Sequence, residues 1–291
     1  MKPAKFDYHC PATVDEAIAV LGRYQGEARI LAGGQSLVPM MNFRLATPAA
    51  IIDLNRIRGL DQTEVTDGTV RIGAMARQRR LEFAPLVAEG LPLLTEALRW
   101  VGHLPTRTRG TIGGSIAHAD PAAEIPMVLQ ALAGEVVARG PEGERCIAAP
   151  DLFVAPLTTA LGFDEILTEV RLPAMPPEAG YAIEEFARRK GDFAIAAIAV
   201  MLVRDGEHCT TARLATAGIG PVPVRLLDAE AILKERGLGE AAVAAAAQRA
   251  AELVEPMADH NASADFRRHL TGVLTRRAIL KARDRQNVRS G

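Results

Sequence analysis

Residues 110–121 read Gly110-Thr111-Ile112-Gly113-Gly114-Ser115-Ile116-Ala117-His118-Ala119-Asp120-Pro121, and residues 31–36 read Leu31-Ala32-Gly33-Gly34-Gln35-Ser36. Each is a glycine pair closed by a small polar residue, at the edge of an apolar stretch. Glycine lets the backbone take positive φ and approach a ligand with no Cβ in the way. Successive amides in such a turn form a concave nest for an anion. Two nests about eighty residues apart predict a diphosphate held from two sides.

Outward from the first nest, Thr13 to Glu16 is a capping box, and Val14, Ala17, Ile18, Leu21 and Tyr24 follow at helical spacing with Gly26 as the stop. Ala28–Leu31 and Ala50–Leu54 read as strands, so residues 1–55 are expected to form a β-α-β unit with its functional turn at Gly33-Gly34. A second region, 56–176, opens with the alternating strand Thr69–Met75. Leu81–Val101 is expected to be mostly helical with one break at Gly90-Leu91-Pro92, and Ile125–Ala133 to be helical again. Glu135–Arg139 and Glu144–Ile147 flank a turn as a hairpin, and Glu165–Leu172 is one more strand. Pro173-Ala174-Met175-Pro176-Pro177 reads as a linker. The third region, 177–291, is expected to hold strands at Tyr181–Phe186, Ala194–Val203 and Thr211–Ala217. Helices at Leu226–Arg236 and Glu240–Leu253 follow, then one from Ser263 with Phe266, Leu270, Val273, Leu274 and Arg277 on one face.

Composition narrows the function classes. The chain has 291 residues, a formal net charge of −1 and one Trp. That balance argues against a nucleic-acid binder, which needs basic excess and aromatic platforms. No uncharged apolar run approaches the ~20 residues of a membrane span, and the N-terminus has no secretory apolar core, so a cytoplasmic protein is expected. Cys10, Cys146 and Cys209 are scattered, with no CxxC, so no metal or iron–sulfur site is expected on this chain. Gly237-Leu238-Gly239-Glu240-Ala241-Ala242 fits a loose dinucleotide pattern but follows a helical segment rather than a strand, and reads as a helix–helix turn. His118 and Asp120 lie beside the second nest, and shaping the loop is their plainer role. Arg107 and Arg109 precede that nest and are candidates for contact with its anion.

At these motifs the chain resembles the FAD-binding medium subunits of molybdenum hydroxylases, the carbon-monoxide-dehydrogenase-like and xanthine-dehydrogenase-like family. The resemblance rests on residues 32–42, on 109–115, on Ala117-His118-Ala119-Asp120-Pro121-Ala122-Ala123-Glu124, on Gly191-Asp192-Phe193-Ala194, and on the C-terminal segments 266–270 and 276–278. It implies an α+β fold of three subdomains, with an FAD-binding fold of the PCMH (vanillyl-alcohol-oxidase-like) type and a C-terminal antiparallel sheet with helices. It implies one non-covalent FAD, with Ala32, Gly33, Gly34, Gln35 and Ser36 on one side of the diphosphate and Thr111, Ile112, Gly113, Gly114 and Ser115 on the other. Glu124 and Asp120 are implied as polar neighbours of the cofactor, and Val101, Ile166 and Leu167 as apolar ones. Two departures stand out. Ala187 falls where some relatives carry Lys, leaving Arg188, Arg189 or Lys190 as substitutes, and Pro105-Thr106-Arg107-Thr108 replaces the usual Gln and Asn.

The resemblance also implies a division of labour. A large partner carries the molybdenum cofactor, a small partner carries two 2Fe–2S clusters, and FAD on this chain passes electrons to an external acceptor. No catalytic side chain and no bound metal are expected here. Two rivals share the same residues: a stand-alone FAD oxidase of a small organic substrate, and a non-catalytic nucleotide-binding assembly module. The oxidase needs a further substrate domain, for which the chain is short.

Overall fold

A computed structural model describes residues 2–206 and 208–289. Among the described residues three sheets of three or more strands follow one another along the chain, and Phe153–Ala155 with Thr158–Thr159 forms a fourth, two-stranded one. The first is parallel, with Ala50–Asp53 in the middle between Asp7–His9 and Ala28–Leu31. The middle position explains the unbroken apolar run, since Ala50, Ile51 and Ile52 are all buried. The strand Asp7–His9 adds to the expected β-α-β unit; it is three residues long and largely exposed, so it carries no alternation to read.

The helix Val14–Tyr24 forms where expected. Thr13 Oγ1 accepts the Glu16 amide at 3.2 Å, and Glu16 Oε2 accepts the Ala12 amide at 2.8 Å. The box thus reaches back one residue further than its usual form. Ala17, Ile18, Val20 and Leu21 face the sheet, while Tyr24 is half-buried and its hydroxyl donates to Asp7 Oδ2 at 3.0 Å. The core of this unit also takes Ile57, Leu60, Met75 and Ile166 from beyond it.

The second sheet is antiparallel. Its order is Thr63–Thr66, Thr69–Gly73, Ile166–Pro173, Glu135–Gly140, Gly143–Ala148, so the expected hairpin lies at one edge. The helical stretch beside it differs from expectation. Gln78–Glu82, Pro85–Gly90 and Pro92–Leu98 are three short helices, and Arg99–Val101 is not helical. Pro85 and Pro92 each stand in a first turn, where the missing N–H costs nothing, and each closes off the helix before it. The break at Pro92 matches the sequence reading; the one at Pro85 is an additional break.

The third sheet is antiparallel, in the order Gly180–Phe186, Ala196–Asp205, His208–Ala217, Val224–Arg225. Alternation along Ala196–Asp205 sends Ala197, Ala199 and Met201 into the core of the second unit. Ala196, Ile198, Val200 and Leu202 go into a core with the C-terminal helices. Both faces are buried, so the strand reads as a continuous apolar run. The helices Leu227–Arg236 and Glu240–Leu253 are joined by the glycine turn, where Gly237 (φ 76°) caps the first. The last helix, Ala264–Arg289, is capped by Ser263 Oγ, which accepts the Phe266 amide at 3.2 Å. Its buried stripe is Arg267, Leu270, Thr271, Leu274, Thr275, Ala278, Ile279 and Ala282; of the expected face Leu270 and Leu274 lie in it, Val273 is half-buried, and Phe266 and Arg277 are exposed. The buried stripe contains an Arg and two Thr, which a purely apolar reading passes over.

Candidate binding cleft

Where the first and second sheets meet, a cleft of about 1590 Å³ opens, lined by both glycine segments. It exceeds the ~300–1,000 Å³ of a typical small-ligand pocket and suits an extended dinucleotide. Ala32, Gly33, Gly34, Gln35, Ser36, Val101, Thr111, Gly113, Gly114, Ser115, Asp120, Glu124, Ile166 and Leu167 all line it. Ile112 does not. It is fully buried, its amide donates to Ala76 O at 3.1 Å, and its side chain packs in the second core. The resemblance placed it in contact along with its neighbours, but helical residues point about 100° apart in succession, and Ile112 is the one directed into the core.

The first segment is an open nest. Gly34 takes φ +72°, and Gln35 Nε2 donates to Gly33 O at 3.1 Å. The amides of Gly33, Gly34, Gln35 and Ser36 donate to no acceptor among the described residues. Backbone donors cannot stay unmet without cost, so this turn is built to receive an acceptor from outside the chain or from water.

The second segment differs from the expected nest. Residues Ile112–His118 are a helix capped by Thr111. The Gly113 amide donates to Ala74 O at 2.9 Å and the Gly114 amide to Thr111 Oγ1 at 3.0 Å. Both glycine amides are therefore engaged within the protein, which leaves Ser115, also in the lining, as a residue of this segment with a hydroxyl that can donate to a ligand. Glycine is needed here for packing. A Cβ on Gly113 would lie 2.5 Å from Ala74 Cβ, and one on Gly33 would lie 2.5 Å from Arg109 O. The two segments touch backbone to backbone.

Lys5, Glu27, Arg29, Asp120, Glu124, Glu165, Arg188 and Asp192 bring charge to the cleft lining. Arg107 is half-buried, pairs with Glu82 at 3.1 Å and donates to Val101 O at 2.8 Å, while Arg109 is exposed; neither lines the cleft. The expectation of an arginine contact beside the second segment is corrected accordingly: Arg107 is consumed in holding the 101–102 turn. Of the three basic residues after Ala187, Arg188 lines the cleft and Arg189 and Lys190 do not. His118 also lines it.

Glu124 is buried at the start of the helix Glu124–Ala131, and burial pushes its carboxyl up to about 7, with Asp120 adding to the rise and Arg107 opposing it. Glu185 is not among the expected site residues. Burial and the neighbouring Glu124 push it up to about 8, and its Oε2 has no hydrogen-bond partner among the described residues. Alternation within Gly180–Phe186 could have marked it, since Glu185 follows Ile183 on one face. Lys5, Met75, Gln78, Phe193 and Asn261 also line the cleft, and none of them is among the expected site residues. Phe193 is 71% exposed at its rim.

A family described as the FAD binding domain in molybdopterin dehydrogenase matches residues 4–175, and the CO dehydrogenase flavoprotein C-terminal domain matches residues 181–282. Fold and cleft together thus define a dinucleotide-binding flavoprotein. The chain is 39% identical over 283 residues to the 6-hydroxypseudooxynicotine dehydrogenase complex subunit alpha of Paenarthrobacter nicotinovorans, covering 97% of this chain and 96% of that one. It is 37% identical over 279 residues to the carbon monoxide dehydrogenase medium chain of Hydrogenophaga pseudoflava, covering 96% and 97%. A solved structure of carbon monoxide dehydrogenase from Hydrogenophaga pseudoflava, in a form lacking the Mo-pyranopterin moiety, matches with a TM-score of 0.96 at 38% identity, over 98% of this chain and 99% of that one. The chain belongs to the family of FAD-binding medium subunits of molybdenum hydroxylases. Among the described residues no helix is long and apolar enough to cross a membrane.

Proposed function

We propose that this chain is the electron-passing FAD subunit of a heteromeric molybdenum-containing dehydrogenase. It would take electrons from the 2Fe–2S clusters of a small partner, fed by a large molybdenum-cofactor partner, and release them to an external acceptor. The observation that carries the reading is the row of unengaged amides at Gly33–Ser36 in a cleft that Ser115 of the second glycine segment also lines. Relatives named as a medium chain and as a subunit of a dehydrogenase complex support the partnership.

The residues present fit a non-covalent FAD. Ala32, Gly33, Gly34, Gln35 and Ser36 would hold the diphosphate from one side by charge-assisted hydrogen bonds. Thr111, Gly113, Gly114 and Ser115 would close on it from the other. Val101, Ile166 and Leu167 offer apolar surface in the cleft that would shield the ring system from water. Glu124 and Asp120 complete the polar lining, and below about pH 7 Glu124 holds a proton at its carboxyl and can donate. When bound, FAD supplies the redox chemistry; this chain binds, orients and shields it.

We further propose that residues 1–55, 56–176 and 177–291 act as three subdomains, each contributing one sheet of three or more strands. The three cysteines are free in the structure, which supports a reducing, cytoplasmic setting. The test is purification of the tagged chain from its native source, followed by metal analysis and absorbance spectroscopy. Molybdenum, iron and flavin are expected to travel with it. A chain that purifies alone, and whose flavin is bleached by a small organic compound, would instead be a self-sufficient oxidase.

A further inference from the structure

The two lips of the cleft are tied together by a polar strap that does not itself line the cleft. Asn55 lies just past the central strand of the first sheet, and its Nδ2 donates to Ala32 O at 3.0 Å. Asp53 fixes it: the Asn55 amide donates to Asp53 Oδ1 at 2.9 Å, and the Tyr8 hydroxyl donates to Asp53 Oδ2 at 2.6 Å. From the other side, the Arg77 guanidinium donates through one terminal nitrogen to Asn55 Oδ1 and through the other to Arg109 O. Arg77 also stands opposite Thr111 in an antiparallel bridge. Ala32 begins the first lip, and Arg109 to Thr111 lead into the second.

The residue types match this task. Asn55 donates at one end of its side chain and accepts at the other, as a side-chain amide can and a carboxylate cannot. A carboxylate there would set a second acceptor against Ala32 O. The guanidinium is a rigid fork that meets two acceptors at once, and a lysine would meet one. Below the strap, Gly33 and the Arg109 carbonyl are in contact with no room for a Cβ. The strap therefore spans a junction where the two lips already touch, and the spacing of the donors at 33–36 and 115 depends on it.

We propose that Asn55 and Arg77 are positioning residues for the cofactor, holding the 32–36 turn against the 109–115 segment at the separation that grips the diphosphate. This rests on the FAD reading above. The test uses the full-length apoprotein, with FAD binding followed by quenching of flavin fluorescence and unfolding followed in parallel by circular dichroism. Asn55→Asp and Arg77→Ala are each expected to raise the FAD Kd about tenfold. The double variant is expected to lie near tenfold rather than hundredfold, because both changes cut one strap. Arg77→Lys, which keeps one of the two bonds, should fall between wild type and Arg77→Ala.

Several results would overturn the proposal. If wild type binds FAD and the single variants bind it equally well, with only the unfolding midpoint lowered, the strap serves stability alone. Multiplicative losses in the double variant would show that the two residues act separately. If wild type binds no FAD, the site reading fails, and the strap's role fails with it. Should Arg77→Ala not fold, the cycle is run with Arg77→Lys and the exposed Asn55→Asp.

Discussion

Two glycines a dozen residues apart show how differently the same side chain can matter. Gly22 sits in the Val14–Tyr24 helix, where an added Cβ would meet nothing within 4 Å, whereas Gly34 takes φ +72°, and a Cβ there would lie 3.2 Å from Leu31 Cδ1 and Val38 Cγ2. Gly22→Ala is expected to stabilise the chain by ~0.5–1 kcal/mol. Gly34→Ala carries a left-handed penalty of roughly 1–2 kcal/mol. Because that strain falls on the nest, FAD affinity should drop about tenfold, read by flavin fluorescence; unchanged affinity would place the diphosphate elsewhere. Glu124 and Glu185 give a second residue-scale expectation. Their carboxyls titrate near 7 and near 8, above the ordinary value of ~4.3, so the folded state binds protons that the unfolded state has shed. Their contribution to stability is full below about pH 4.5 and is lost as pH rises through 7 to 8. Glu185→Gln should flatten this loss, seen as a urea midpoint that gains on wild type between pH 5 and pH 8.

Among elements, the helix Ile112–His118 is the one whose role the structure changed. Its glycine pair resembles the first nest in sequence, yet Thr111 turns it into a capped helix end that spends both glycine amides internally. Thr111→Val keeps the shape and removes the acceptor for the Gly114 amide. It is expected to cost about 1 kcal/mol in urea unfolding, with Thr111→Ser restoring most of it. A Thr111→Val chain as stable as wild type would mean that the cap is dispensable. The capping box at Thr13–Glu16, the hairpin 135–148 and the glycine turn at 237–239 were legible because their signals are local. The true stripe of the last helix was not, since it depends on what the helix packs against, whereas the break at Pro85 is a local proline signal that the reading passed over.

At the scale of the molecule, the third sheet is buried on both faces and joins two cores. Arg267 fastens the last helix to it. Its Nη1 donates to Ile195 O at 2.7 Å and also to Gly218 O, and its Nη2 pairs with Asp259 at 2.8 Å. Removing it as Arg267→Met leaves two carbonyls without their donor, an expected loss of roughly 2–4 kcal/mol. Urea denaturation measures it directly, and a loss under about 1 kcal/mol would show that the fastening is redundant.

Read alone, the sequence determined most of the longer strands and helices, the two glycine segments and, Ile112 apart, the expected residues that line the cleft, because short-range chemistry and motif spelling carry them. Tertiary structure alone decided which amides remain free. A backbone donor is available to a ligand only if no neighbouring carbonyl has taken it, and Ala74, which takes the Gly113 amide, lies far from it in the chain. The same holds for Glu185 beside Glu124 and for the strap from Ala32 through Asn55 and Arg77 to Arg109: their partners meet only once three sheets have packed.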